Sequence, residues 1–229
     1  MTNERFFTLM NEIDDRLLLR EAGAAKKSSK IVHWIRWGAL AACLALVLGI
    51  GLAWNGDHTV TLGSGDTLRF ARGGAVGRAK VDFNGMFNCD VQSRGLTQEE
   101  ADSLVDDFKF EGWGLFNSEI GALLGFEGWN EEGIYLQVSS GPMWSCTVLN
   151  GVEQTCVING IPVSAGYTDA NHHGKQIIIY YATLEIGSQT VYLEHGGLVA
   201  DREELREELA DMIETLIAHG EIDLAQIRY

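Results

Sequence analysis

Hydrophobic positions along this chain follow three different rhythms, and each rhythm predicts a different kind of element. In residues 3–22, Phe6, Leu9, Met10, Ile13 and Leu17 recur at spacings of three and four, the period of one helix face. Glu12, Asp15 and Arg16 fall on the opposite side, so the stretch reads as a short amphipathic helix. From Trp37 to Trp54 the periodicity stops, and 18 residues pass without a charged side chain. As a helix that run is about 27 Å long, close to the ~30 Å of a hydrocarbon core. Trp34, Trp37 and Trp54 sit at its ends, where indole rings favour the lipid–water interface.

Beyond residue 55 the rhythm becomes that of short strands and two helices. Strands are expected at Thr67–Ala71, Lys80–Val91, Ile134–Val138, Trp144–Leu149, Val152–Ile158, Gln176–Ile186 and Gln189–Glu194. Asn150-Gly151 predicts a hairpin between 144–149 and 152–158, and Asn159-Gly160 starts another turn. Gly187-Ser188 predicts a two-residue hairpin in which paired positions sum to 375. In that register Tyr180, Ala182, Leu184 and Ile186 share a buried face with Val191 and Leu193. Tyr181, Thr183, Glu185, Tyr192 and Glu194 share a polar one, as an antiparallel sheet covered on one side requires. The Gly-rich stretch Phe110–Trp129 reads as a loop whose aromatics pack on a core, with a ligand groove as the lesser reading. A helix is expected near 98–108, with Thr97 and Glu100 as a capping box and Leu96 as its staple. A second spans the stripe Leu205, Leu209, Met212, Ile213, Leu216 and Ile217, with Asp201 as N-cap and Gly220 as the stop signal. Arg206, Glu207, Glu208 and Asp211 lie off that stripe.

The fold expected is therefore α+β: an antiparallel sheet with two helices on one face, preceded by one transmembrane helix and a short cytoplasmic amphipathic helix. The domains are residues 1–33 (helix and basic joint), 34–54 (the span) and 55–229 (an extracytoplasmic α+β domain). Lys26, Lys27, Lys30 and Arg36 precede the span, and the next charge after it is Asp57. Positive charge stays inside, which puts the N-terminus in the cytoplasm. A cleaved signal peptide fits poorly, because about 36 residues precede the apolar core. The lipobox-like Leu40-Ala41-Ala42-Cys43 places its cysteine at the wrong end of the run.

Charge sharpens the division. The chain holds 32 acidic and 17 basic residues. Five acidic and seven basic ones lie before residue 55, leaving 27 against 10 beyond it, a net of −17. So acidic a domain disfavours nucleic acid and anionic lipid as partners and suits cationic ligands or ions. Cys146 and Cys156 flank Asn150-Gly151, one register step from facing each other. They are a candidate disulfide through a bulge or longer loop, or else partly buried thiols.

Catalytic constellations are weak. There is no H-E-x-x-H, G-x-S-x-G or Walker sequence. His172, His173, Asp169, His195 and Glu194 could be assembled into a metal site only on paper. His172-His173 are expected in a solvated loop over 168–175. No cofactor, metal or enzymatic activity is therefore expected. The alternatives to a binding protein are a tethered structural domain and a membrane-tethered hydrolase.

The opening Phe7-Thr8-Leu9-Met10-Asn11-Glu12-Ile13-Asp14-Asp15-Arg16-Leu17-Leu18, the basic joint and Trp34–Leu44 resemble a group of single-pass, anti-sigma-factor-like membrane proteins of Gram-positive bacteria. The resemblance covers about the first fifth of the chain. It implies regulation: an exterior domain that senses an unknown ligand, and an inner helix that docks a cytoplasmic protein such as a sigma factor through Phe6, Leu9, Met10, Ile13 and Leu17. The chain departs from the zinc-binding members, which carry a His and two Cys before the membrane. Residues 1–32 contain neither type.

Overall fold

Three two-residue turns organise the sheet. Asn159-Gly160 and His173-Gly174 both hold positive φ at both positions (47° and 83°, 50° and 80°), the type I′ geometry that matches strand twist. Gly187 alone has positive φ in the third turn, at 61°. They join β10 (Gln154–Ile158), β11 (Ile161–His172), β12 (Lys175–Ile186) and β13 (Gln189–Leu198) into a meander. Tyr180 faces His195 and Ile186 faces Gln189, the register that sums to 375. The computed structural model describes residues 58–77, 81–105, 110–144 and 147–229. The expected amphipathic helix, the apolar run and the expected docking residues Phe6, Leu9, Met10, Ile13 and Leu17 lie outside the described residues.

The remaining strands are β1 (Thr59–Thr61), β2 (Thr67–Arg69), β3 (Ala71–Arg72), β4 (Ala75–Val76), β5 (Val91–Gly95), β6 (Phe110–Asn117), β7 (Leu123–Asn130), β8 (Tyr135–Ser139) and β9 (Val148–Leu149). The large sheet runs β10-β11-β12-β13-β8-β7-β6-β5, with β3 added beside β11. Every pairing in it is antiparallel except β3 with β11. The α-helices among the described residues are α1 (Phe83–Phe87), α2 (Gln98–Leu104) and α3 (Arg202–His219).

One core fills the face under α2 and α3. Ala101 and Leu104 of α2 and Leu209, Ile213 and Leu216 of α3 join Phe116, Phe126, Leu136, Tyr180, Leu184, Val191 and Leu193 in a single apolar cluster. The α2 capping box is formed, with Thr97 Oγ1 accepting from the Glu100 N–H and Glu100 returning to the Thr97 N–H. Asp201 stands at the N-cap of α3 but its side chain makes no capping hydrogen bond, because a 3₁₀ turn over Val199–Asp201 leads into the helix. Arg206, although off the apolar stripe, is buried. Glu214 of α3 accepts the Gly63 and Ser64 N–H groups at 3.1 and 2.8 Å, clamping the β1–β2 turn to the helix.

Several expectations are corrected. Within the strand expected over 80–91, residues 81–90 are not strand: Asp82 caps α1 by accepting the Gly85 N–H, and Asn88 ends it in the left-handed region. The Gly-rich stretch 110–129 is not a loop but is mostly two eight-residue strands, in which Gly114 and Gly125 occupy positions that neighbouring groups fill. A Cβ at Gly114 would meet the Phe116 ring at 2.6 Å, and one at Gly125 would meet Trp144 at 2.7 Å. No hairpin forms at Asn150-Gly151. β9 pairs with β4 and β10 pairs with β11, so the turn expected to bring Cys146 and Cys156 together is absent. Cys146 lies outside the described residues, and Cys156 packs half-buried against the core. Residues 168–175 are strand and a two-residue turn, not a loop. Finally, the expected polar face of β12 and β13 is largely covered. Tyr181 and Tyr192 form a second cluster there with Tyr135, Val148 and Ile179.

Candidate functional site on the outer sheet face

The face of the sheet away from α2 and α3 is built row by row from the strand register. Alternate residues of a strand point to opposite sides. Across β6, β7, β8 and β13, one outer row reads Trp113, Glu127, Gln137, Tyr192 and the next reads Glu111, Trp129, Tyr135, Glu194. The first two columns come from a repeated tripeptide. Glu111-Gly112-Trp113 and Glu127-Gly128-Trp129 run antiparallel with Gly112 opposite Gly128. Each Trp therefore faces the other strand's Glu, in a checkerboard with local two-fold symmetry.

This patch is open at the indoles and firmly held behind them. Trp113 is 51% and Trp129 48% exposed. Gly95 of β5 lies opposite Trp113, and a Cβ there would meet nothing within 4 Å, so the shelf beside that ring is clear. Trp129 leans on Tyr135, with ring centroids 5.0 Å apart. Glu127 Oε2 accepts from the Tyr135 hydroxyl at 2.7 Å and from Trp144 Nε1–H at 2.9 Å. Trp144 is itself buried under the Phe83 and Phe87 rings of α1. The Tyr135 hydroxyl also approaches Gln137 Oε1 at 3.4 Å, and Gln137 is fully buried.

The half of the outer face over β13, β12 and β11 is closed. Glu194 accepts the Thr147 and Val148 N–H groups and the Tyr192 hydroxyl. Tyr181 donates to the Val152 carbonyl at 2.8 Å. Burial, with Glu153 nearby, pushes its hydroxyl up to about 12. These contacts hold the segment carrying β9 against the sheet and leave the β6–β7 checkerboard as the uncovered part.

The metal set imagined from sequence is scattered. Asp169 pairs with Arg72 at 2.7 Å, and His172 and His173 sit at a hairpin tip. His195 is buried on the core face against Glu208 at 2.7 Å, whereas Glu194, one residue away, points to the outer face. Among the described residues no group of three or more His, Cys, Asp and Glu is placed to hold a metal ion. An open cleft of about 480 Å³ lies at the C-terminal seam, lined by Ser188, Gln189, Glu221, Asp223 and Arg228 among others. Its main acceptor is already used, because Glu221 takes the Ser188 N–H and hydroxyl. Those bonds also pull the Glu221 carboxyl below its ordinary value.

The exposed Trp pair was not singled out from sequence, since Trp113 and Trp129 read as core-packing aromatics of a loop. The signal that could have found it is the doubled Glu-Gly-Trp, which as paired strands must present both acids and both indoles on one face. No family model matches the chain, no curated protein matches it, and no solved structure matches its fold.

Proposed function

We propose that this chain is a single-pass membrane protein whose extracytoplasmic domain, residues 55–229, binds a ligand on its outer sheet face and acts as a sensor. In this reading residues 34–54 span the membrane. Residues 1–33 lie in the cytoplasm and dock a regulatory protein, of which a sigma factor is one kind. Among the described residues no helix is long and apolar enough to cross a membrane, so the span rests on the sequence of Trp37–Trp54. The observation that carries the binding reading is the exposure of Trp113 and Trp129 on a buttressed sheet. A solvated face has no use for two half-bare indoles, and exposed aromatic groups rimmed by polar ones mark interaction surfaces.

Two measurements test the proposal. The chain should stay in membranes washed with alkaline carbonate, and protease added to whole cells should remove the domain. Release by carbonate, or protection from protease, would overturn the topology. A double Trp113→Ala, Trp129→Ala variant should fold and reach the membrane yet lose the phenotype that distinguishes the wild type from a deletion. Full activity in that variant would overturn the binding face. A pull-down with the full chain in detergent tests the inner half: Phe6→Asp and Ile13→Asp should abolish capture of a cytoplasmic partner.

A further inference from the structure

Building on the binding-face reading, we propose that the checkerboard of β6 and β7 takes the guanidinium groups of a basic polypeptide segment in extended conformation, with two arginines two residues apart. The acceptor inventory decides the class of ligand. The platform offers carboxylates at Glu111 and Glu127 and the negative π faces of Trp113 and Trp129, with the ring N–H groups of those two indoles as donors. The Tyr135 hydroxyl and Trp144 Nε1–H are already spent on Glu127, and Gln137 is buried. Two carboxylates set beside two π faces favour a cation over a neutral sugar. Among the described residues of β5, β6, β7, β8 and β13, the outer-facing positions carry Glu111, Glu127 and Glu194 and no Lys or Arg. Arg94, the basic residue of β5, pairs with Gly114 and lies over the Phe116 ring on the core side.

Shape then favours guanidinium over a quaternary ammonium ion. The rings lie on an open sheet and do not enclose a box. A planar cation can stack on an indole and direct its N–H fork into the neighbouring carboxylate. The pseudo-two-fold repeat supplies two equivalent Trp/Glu pairs, Trp113 with Glu127 and Trp129 with Glu111. Alternate residues on one side of an extended chain are about 7 Å apart, the same period as Glu111 to Trp113 along β6. An Arg-x-Arg segment therefore presents two cations at the spacing the face presents two acceptors.

The test is calorimetric titration of the full chain in neutral detergent with a Gly-Arg-Gly-Arg-Gly peptide. A Gly-Lys-Gly-Lys-Gly peptide, a peptide with a single arginine and a neutral oligosaccharide serve as comparisons. The two-arginine peptide should bind tightest, and raised salt should weaken it. Trp113→Ala and Glu111→Gln should each weaken it about tenfold. Glu127→Gln keeps an acceptor for Tyr135 and Trp144, so it removes charge without unlocking the support. It should weaken binding by a similar factor. Equal affinity in wild type and these variants would overturn the proposal, as would absence of peptide binding. Binding of the oligosaccharide instead, lost in Trp113→Ala, would overturn the cationic ligand while leaving the binding face standing. If the double Trp variant also kept its cellular phenotype, both readings would fall.

Discussion

Arg94 shows how one side chain can close several gaps at once. Its guanidinium forms a two-pronged pair with Glu100 at 2.8 and 2.6 Å, donates to the Arg228 carbonyl at 2.8 Å, and lies over the Phe116 ring. That pairing holds the Glu100 carboxyl down at about 2, helped by the Thr97 N–H. A depressed carboxyl contributes stability that is complete above its unfolded value and disappears as pH falls through its folded one. The contribution of Glu100 should therefore be intact above pH 4.5 and fade down to about pH 2. Urea denaturation of wild type and Glu100→Gln across that range should converge at its acid end. If the gap between them stays constant with pH, the carboxylate is not the stabilising species. Arg94→Ala should cost about 2 kcal/mol at neutral pH, since it strips a charged acceptor and a carbonyl of their donor.

At the scale of elements, glycines mark where one layer approaches another. Gly166 of β11 lies beneath Val152 and Tyr181, and a Cβ there would press into the Val152 carbonyl and the Tyr181 hydroxyl. Gly166→Ala should cost about 1–3 kcal/mol, and the strained segment should become more susceptible to limited proteolysis near Val152. A loss below about 0.5 kcal/mol would mean that this cover is not tightly seated. The helix layer predicts a different contrast. Leu209 of α3 is fully buried in the main core, so Leu209→Ala should cost about 2–5 kcal/mol. Trp113→Ala, on the exposed face, should change denaturation midpoints little. Midpoints from one denaturant series on both variants would separate packing from binding.

At the scale of the whole domain, the last residues bind the first strands of the sheet to its middle. Ile227 is buried in the core, Ala122 bridges to Arg228, and the Tyr229 N–H donates to the Gly121 carbonyl. The Tyr229 ring packs edge-on to Phe116 at 5.4 Å. Gln189 adds a reciprocal pair with the Ile222 backbone. Deleting Ile227–Tyr229 should lower stability by about 2–4 kcal/mol, mostly through the lost Ile227 side chain and the orphaned Arg94 partner. A melting curve unchanged by the deletion would show that the seam is only loosely fastened.

The elements that sequence alone determined are those whose signals are local. Gly187-Ser188 set a hairpin register that every pair from Ile177 to Gln189 obeys. Thr97 and Glu100 set a helix start, and the stripe from Leu205 to Leu216 set which side of α3 is buried. Periodicity and turn chemistry reach only a few residues, and these features need no more. Tertiary structure decided the rest, because the deciding partner lay far away in the chain. Gly114 of β6 and Gly125 of β7 argue against strand locally, until Phe116 and Trp144 fill the space above them. Asn150-Gly151 is a hairpin signal overruled when β4 and β11 claim its flanking strands. The polar side of β13 became an interior once Glu194 found the Thr147 and Val148 N–H groups. The Trp/Glu checkerboard likewise exists only when two copies of Glu-Gly-Trp, sixteen residues apart, lie side by side in opposite directions.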